Sequence, residues 1–136
     1  GLHWYGINRL VLEIMLRQQF GDRATVIRLP ALFGPGLKKN ALYDMMVGNE
    51  VEKIPENATY QWFNVGEIEL ILRAMMNTAY PPLVNLVSPP VEMSEIRDRF
   101  FPGVRLGRKR RDAARYDVRS ACGYLASVED VLREMG

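Results

Sequence analysis

Tyr5 and Arg9 are a phenol and a cation four residues apart. On a helix that spacing sets one side chain above the other and lets both face one cleft. A nearby cation favours the ionised form of a phenol, which suits acid–base work on an alcohol or a carbonyl. The same spacing also allows a ring that packs while the arginine is solvated. Glu13, four residues beyond Arg9, is placed to pair with it on the same helix. Other chemistries have thinner material. The sole histidine, His3, cannot build a His-rich metal site, and no metal-ligand set is expected. No nucleophile–histidine–acid set is visible. Glu50 and Glu52 alternate around Val51, as on an exposed edge rather than in a carboxylate dyad. Cys122 is the only cysteine, so no internal disulfide forms.

The elements that must position Tyr5 and Arg9 follow from periodicity. The chain has 136 residues, 48% of them hydrophobic, enough for one core, and its formal net charge is +2. It has neither an apolar run of membrane-spanning length nor a signal-peptide pattern, so a cytoplasmic protein without a membrane partner is expected. Residues 3–19 read as an amphipathic helix with Tyr5, Leu12, Leu16 and Phe20 near one stripe, ended by Gly21-Asp22. Residues 24–29 are short, β-branched and apolar, a buried strand that Pro30 ends or bends. Phe33-Gly34-Pro35-Gly36 is a turn, and a helix over 37–47 follows it, broken at Gly48-Asn49. A short strand over 59–63, a helix over 65–78, a strand over 83–87 and a helix over 94–100 complete the regular part. Ile68, Ile71, Leu72, Met75 and Met76 supply the apolar face of the helix over 65–78. Residues 105–124 are polar and irregular. Ser127 caps a last helix over 128–135, with Asp130 a poorer capping-box partner than glutamate. The alternation is an α/β pattern in which the strands over 24–29 and 83–87 are candidates for parallel pairing.

Several of these segments, taken in order, carry a resemblance. Tyr5-Gly6-Ile7-Asn8-Arg9-Leu10, Glu13, residues 24–30 and Phe33-Gly34-Pro35-Gly36 resemble the extended short-chain dehydrogenase/reductases, in particular the NAD-dependent epimerase/dehydratase branch. Tyr60-Gln61-Trp62-Phe63, the helix after it, Val84-Asn85-Leu86-Val87 and residues 92–100 continue the likeness. The resemblance implies a partial Rossmann-like parallel sheet with flanking helices over residues 1–100, and a small substrate-side or capping region over 101–136. It implies that Tyr5 exchanges a proton with the substrate oxygen and that Arg9 stands where the family's lysine holds the nicotinamide ribose. It further implies Pro30, Leu32 and Phe33 beside the cofactor and Ala31 beside the substrate, with NAD or NADP in the intact parent and a nucleotide sugar as a candidate substrate. Arginine is a planar fork rather than a compact point charge, so Arg9 is a departure. Ala31 and Phe33 are departures too, replacing an amide and a phenol of the family pattern. Phe33 reads first as a core ring beside a tight turn.

No Gly-x-Gly-x-x-Gly stretch occurs in the chain. The C-terminal part of a longer oxidoreductase is therefore expected, one that binds no cofactor alone. A non-catalytic, self-associating module derived from that fold is the alternative. Arg105, Arg108, Lys109, Arg110, Arg111 and Arg115 form the densest positive cluster, with Asp112 and Asp117 diluting it. It reads as a solvated loop or, through Arg108 and Arg111, as contacts to a substrate diphosphate. Nucleic acid is disfavoured by the small net charge.

Overall fold

The computed structural model describes residues 3–121 and 123–136. Gly1, Leu2 and the lone cysteine, Cys122, lie outside the described residues. The protein is mixed α/β, with its short strands in three two-stranded pairs. Helix α1 (Trp4–Phe20) starts at His3, whose Nδ1 accepts from the Tyr5 N–H at 3.2 Å, and stops at Gly21. Strand β1 (Val26–Arg28) pairs in parallel with β5 (Leu83–Asn85), with Val26 opposite Leu83. The two apolar runs expected to be strands thus lie side by side. Pro30 ends β1, and the chain steps to β2 (Ala31–Phe33), which pairs in parallel with β4 (Trp62–Asn64). The third pair is antiparallel, β3 (Thr59–Tyr60) with β6 (Val91–Glu92).

Four local expectations are corrected. The run over 59–63 is not one strand, because Gln61 divides it and each half takes a different partner. Helix α2 (Ala41–Val47) begins four residues later than its apolar run, where the Asn40 side chain accepts from the Tyr43 N–H at 3.0 Å. Its end was legible, since Gly48 is the left-handed residue after the last turn. The strand over 83–87 is shorter: its ladder with β1 ends at Asn85, opposite Arg28, where β1 itself stops before Pro30. Asp130 closes a full capping box at the start of α5 (Val128–Met135): its carboxylate accepts from the Ser127 N–H, and the Ser127 hydroxyl accepts from the Asp130 N–H.

The main core joins Phe33, Met45, Trp62, Val91, Met93, Ile96, Val131 and Leu132, so α5 and α4 (Met93–Phe100) share one interior with the strands. A second cluster of Phe63, Val84 and Leu86 is covered by Ile68, Ile71 and Met75 of α3 (Ile68–Met76). Leu72 and Met76, expected on the same face, are exposed. The stripe of α1 is likewise uncovered: only Ile7, Glu13 and Leu16 are half-buried, while Leu10, Leu12, Ile14 and Met15 face outward. Periodicity marks which face of a helix is apolar, but burial needs a neighbour, and α1 meets the strands along one line only.

Candidate functional site

Two grooves flank the end of β1. The first, of about 470 Å³, runs between α1 and β1 and is lined by Tyr5, Arg9, Leu12, Leu16 and residues 26–29, among others. The helical spacing brings Tyr5 and Arg9 together here: the Arg9 guanidinium carbon lies 4.4 Å from the Tyr5 ring centroid. That is a cation on a π face, and it keeps the charge beside the phenol. Glu13 does not serve Arg9. It reaches across the groove to Arg28, accepting from Nε at 2.9 Å and from Nη2 at 2.5 Å. A two-pronged partner fixed on the strand outcompetes the neighbour one turn away, because the fork matches the carboxylate geometry.

This bridge has a pH signature. The hydrogen bond from Arg28 holds the Glu13 carboxyl below the ordinary glutamate range, although burial opposes it. A depressed folded-state pKa contributes stability that is present above the unfolded value, about 4.3, and lost as pH falls through the folded value. With the Arg28 side chain about half exposed, solvent screening limits the contribution to about 0.5 kcal/mol. We expect Glu13→Gln to remove that acid-side slope and to leave the neutral-to-alkaline limb of a stability–pH profile parallel to wild type. An identical acid limb in both proteins would show that the bridge contributes nothing.

The second groove, also about 470 Å³, opens where the parallel pair ends, beyond Arg28 and Asn85. Its wall holds Leu29, Pro30, Ala31, Tyr60, Gln61, Val87, Tyr116 and Val118. In open α/β sheets, ligands sit outside the carboxyl ends of parallel strands. Arg28 and Leu29 line both grooves. Gln61 builds the wall. It is 2% exposed, and its amide donates to the carbonyls of Ser88 at 2.7 Å and Val118 at 2.9 Å. Its Oε1 accepts from the Val118 N–H at 2.7 Å. One buried side chain thereby fastens the irregular C-terminal segment across the strand ends. Tyr116 arrives with it and stacks on Tyr60, centroids 5.6 Å apart.

The expected site residues divide. Tyr5 and Arg9 share the first groove, and Pro30 and Ala31 line the second. Leu32 and Phe33 point into the two cores on opposite faces of β2, and Phe33 also lines a separate groove beside α2. Arg108 and Arg111 are exposed and line neither groove flanking β1. Within the positive cluster, Arg110 is engaged by Asp112 and by Asn57. Gln61 and Asn85 were given no site role by sequence reasoning, and Tyr116 figured only as the start of a polar run, 116–120, readable as a binding loop or as an interhelical brace. Only the tertiary path of residues 105–121 brings them to one cavity.

The residues beside Tyr5 fit one end of a nicotinamide cofactor. Arg9 can donate to ribose hydroxyls and apolar side chains can face the ring, but Arg28 is already engaged by Glu13, which leaves little to hold a pyrophosphate. Among the described residues there is no group of three or more His, Cys, Asp or Glu that could hold a metal ion, and no helix is long and apolar enough to cross a membrane. No protein-family model matches the chain, and no curated protein matches it.

Proposed function

We propose that this chain is the C-terminal part of an NAD(P)-dependent oxidoreductase of the epimerase/dehydratase kind, carrying its tyrosine helix and its substrate side. One observation carries the reading. Tyr5 and Arg9 face the groove along β1, and Pro30 and Ala31 stand at the carboxyl end of that same strand. In this reading Tyr5 accepts the proton of a substrate alcohol as it becomes a carbonyl, and returns it in the reverse direction. Arg9 keeps positive charge beside the phenol and meets the ribose. A nicotinamide, when bound, supplies the hydride exchange.

Titration of NADH into the full-length protein, followed by nicotinamide fluorescence, tests this. We expect saturable binding that tightens several-fold in Arg9→Lys, because a slimmer cation leaves more room for the ribose. Equal affinity in both proteins would remove Arg9 from the ribose. No saturable signal in the full-length protein would remove the oxidoreductase reading. A second reading, a self-associating module, draws on the uncovered apolar side chains of α1, Trp4 among them at 76% exposure. It gains if NADH does not bind.

A further inference from the structure

The strand-end cavity has a chemistry of its own. Five of its wall residues, Leu29, Pro30, Ala31, Val87 and Val118, are apolar, and the stacked rings of Tyr60 and Tyr116 form one side. Its polar groups are already committed. All three Gln61 hydrogen bonds go to the backbone of residues 88 and 118, and the Asn85 amide donates to the Arg119 carbonyl at 3.0 Å. Arg28 is the only charged residue of the wall, and the Glu13 carboxylate matches its charge. What remains for a ligand is the two phenols. Asn85 Oδ1 has no hydrogen-bond partner among the described residues, but it is buried beneath the wall and does not meet a ligand. Burial, and after it the neighbouring Tyr116, raises the Tyr60 pKa, so that phenol stays protonated and donates.

A nucleotide sugar would bring a diphosphate and several hydroxyls into this space. Each needs donors or acceptors, and charge buried without partners is costly. The cavity supplies no uncompensated cation. We propose that it binds an uncharged, mostly apolar ring compound carrying a hydroxyl or carbonyl, with Tyr60 and Tyr116 as its recognition residues. The ring lies against the Tyr60–Tyr116 face, where flat apolar surface is already exposed to a ligand. A ligand carbonyl takes a hydrogen bond from a phenol, and a ligand hydroxyl donates to or accepts from one. This rests on the proposed assignment of the cavity as the substrate side of the oxidoreductase, and it narrows the substrate class.

The test uses the chain itself, labelled with ¹⁵N, and two probes: 1-tetralone, an uncharged bicyclic ketone, and uridine diphosphate glucose. We expect 1-tetralone to shift the amide signals of Tyr60, Asn85, Tyr116 and Val118 saturably, and the nucleotide sugar to leave them in place. Tyr116→Ala should weaken 1-tetralone about tenfold, a loss within the reach of one aromatic contact, and Tyr116→Phe should retain most of the affinity. The backbone bonds that seat this segment, Thr59 N–H to the Ala114 carbonyl and Tyr116 N–H to the Thr59 carbonyl, do not depend on the ring. Shifts produced by the nucleotide sugar at these residues would overturn the proposal. So would 1-tetralone signals confined to α1, absent signals, or affinity indifferent to Tyr116→Ala. The NADH titration reads the groove beside Tyr5 and Arg9 instead. Saturable NADH with a failed tetralone experiment therefore discards the ligand class and keeps the oxidoreductase.

Discussion

Replacing Tyr5 with phenylalanine in the full-length protein is expected, under the proposed function, to lower turnover by about 10²–10⁴-fold, the usual contribution of one positioned acid–base group. That corresponds to roughly 3–5 kcal/mol of transition-state stabilisation. The substitution is clean because only the hydroxyl leaves. The ring that carries the Arg9 guanidinium at 4.4 Å is retained, so the cation stays where it is. Tyr5 is 62% exposed, and an exposed substitution of this kind shifts stability by no more than about 0.5 kcal/mol. Turnover should therefore collapse while the thermal midpoint and the NADH affinity hold. A variant that turns over within a few-fold of wild type would place the proton transfer on another residue. If NADH affinity fell in parallel, Tyr5 would be a binding group and not the acid–base.

The parts of the fold that were legible are those decided locally. The β-branched residues 24–29 and the apolar run 83–87 mark strands because both faces of a parallel strand are covered, and they pair. Tyr5 and Arg9 meet because four residues on a helix is one turn. What escaped was decided by distant partners. The sequence Tyr60-Gln61-Trp62 offers one continuous β-prone run. Whether it splits depends on β6 and β2 arriving on different sides, and on the Ser88 and Val118 carbonyls that claim the Gln61 amide. Glu13 was assigned to Arg9 by spacing, whereas Arg28 is fifteen residues away in sequence and offers two donors. The wall of the strand-end cavity could not be read for the same reason. Residues 105–121 carry neither helical nor strand periodicity, and their path is fixed by pairs of hydrogen bonds to Asn57, Thr59 and Gln61.

That dependence makes one glycine decisive. Gly107→Ala is expected to cost about 3 kcal/mol of stability, at the upper end of what overpacking does. A Cβ at position 107 would lie 2.2 Å from the Glu52 carbonyl oxygen and 3.2 Å from that of Ile54. These are backbone atoms and cannot swing aside as a side chain would. The segment is also held on both sides, since the Gly107 N–H donates to the Ile54 carbonyl at 2.9 Å and its carbonyl accepts from the Glu56 N–H at 3.0 Å. Relief requires lifting residue 107 off the 52–56 turn, which breaks these two bonds. The next attachments down the chain, Arg110 to Asn57 and Ala114 to Thr59, then carry the load together with the Gln61–Val118 bonds, and these seat Tyr116 and Val118 in the cavity wall. Gly103 is the matched control, because a Cβ there meets nothing within 4 Å. Thermal unfolding should therefore separate the two variants by roughly 10 °C at this chain length, with Gly103→Ala close to wild type. Equal midpoints would mean that the 52–56 turn yields freely, and that the bonds to Thr59, Gln61 and Asn85 hold residues 105–121 to the strands without it.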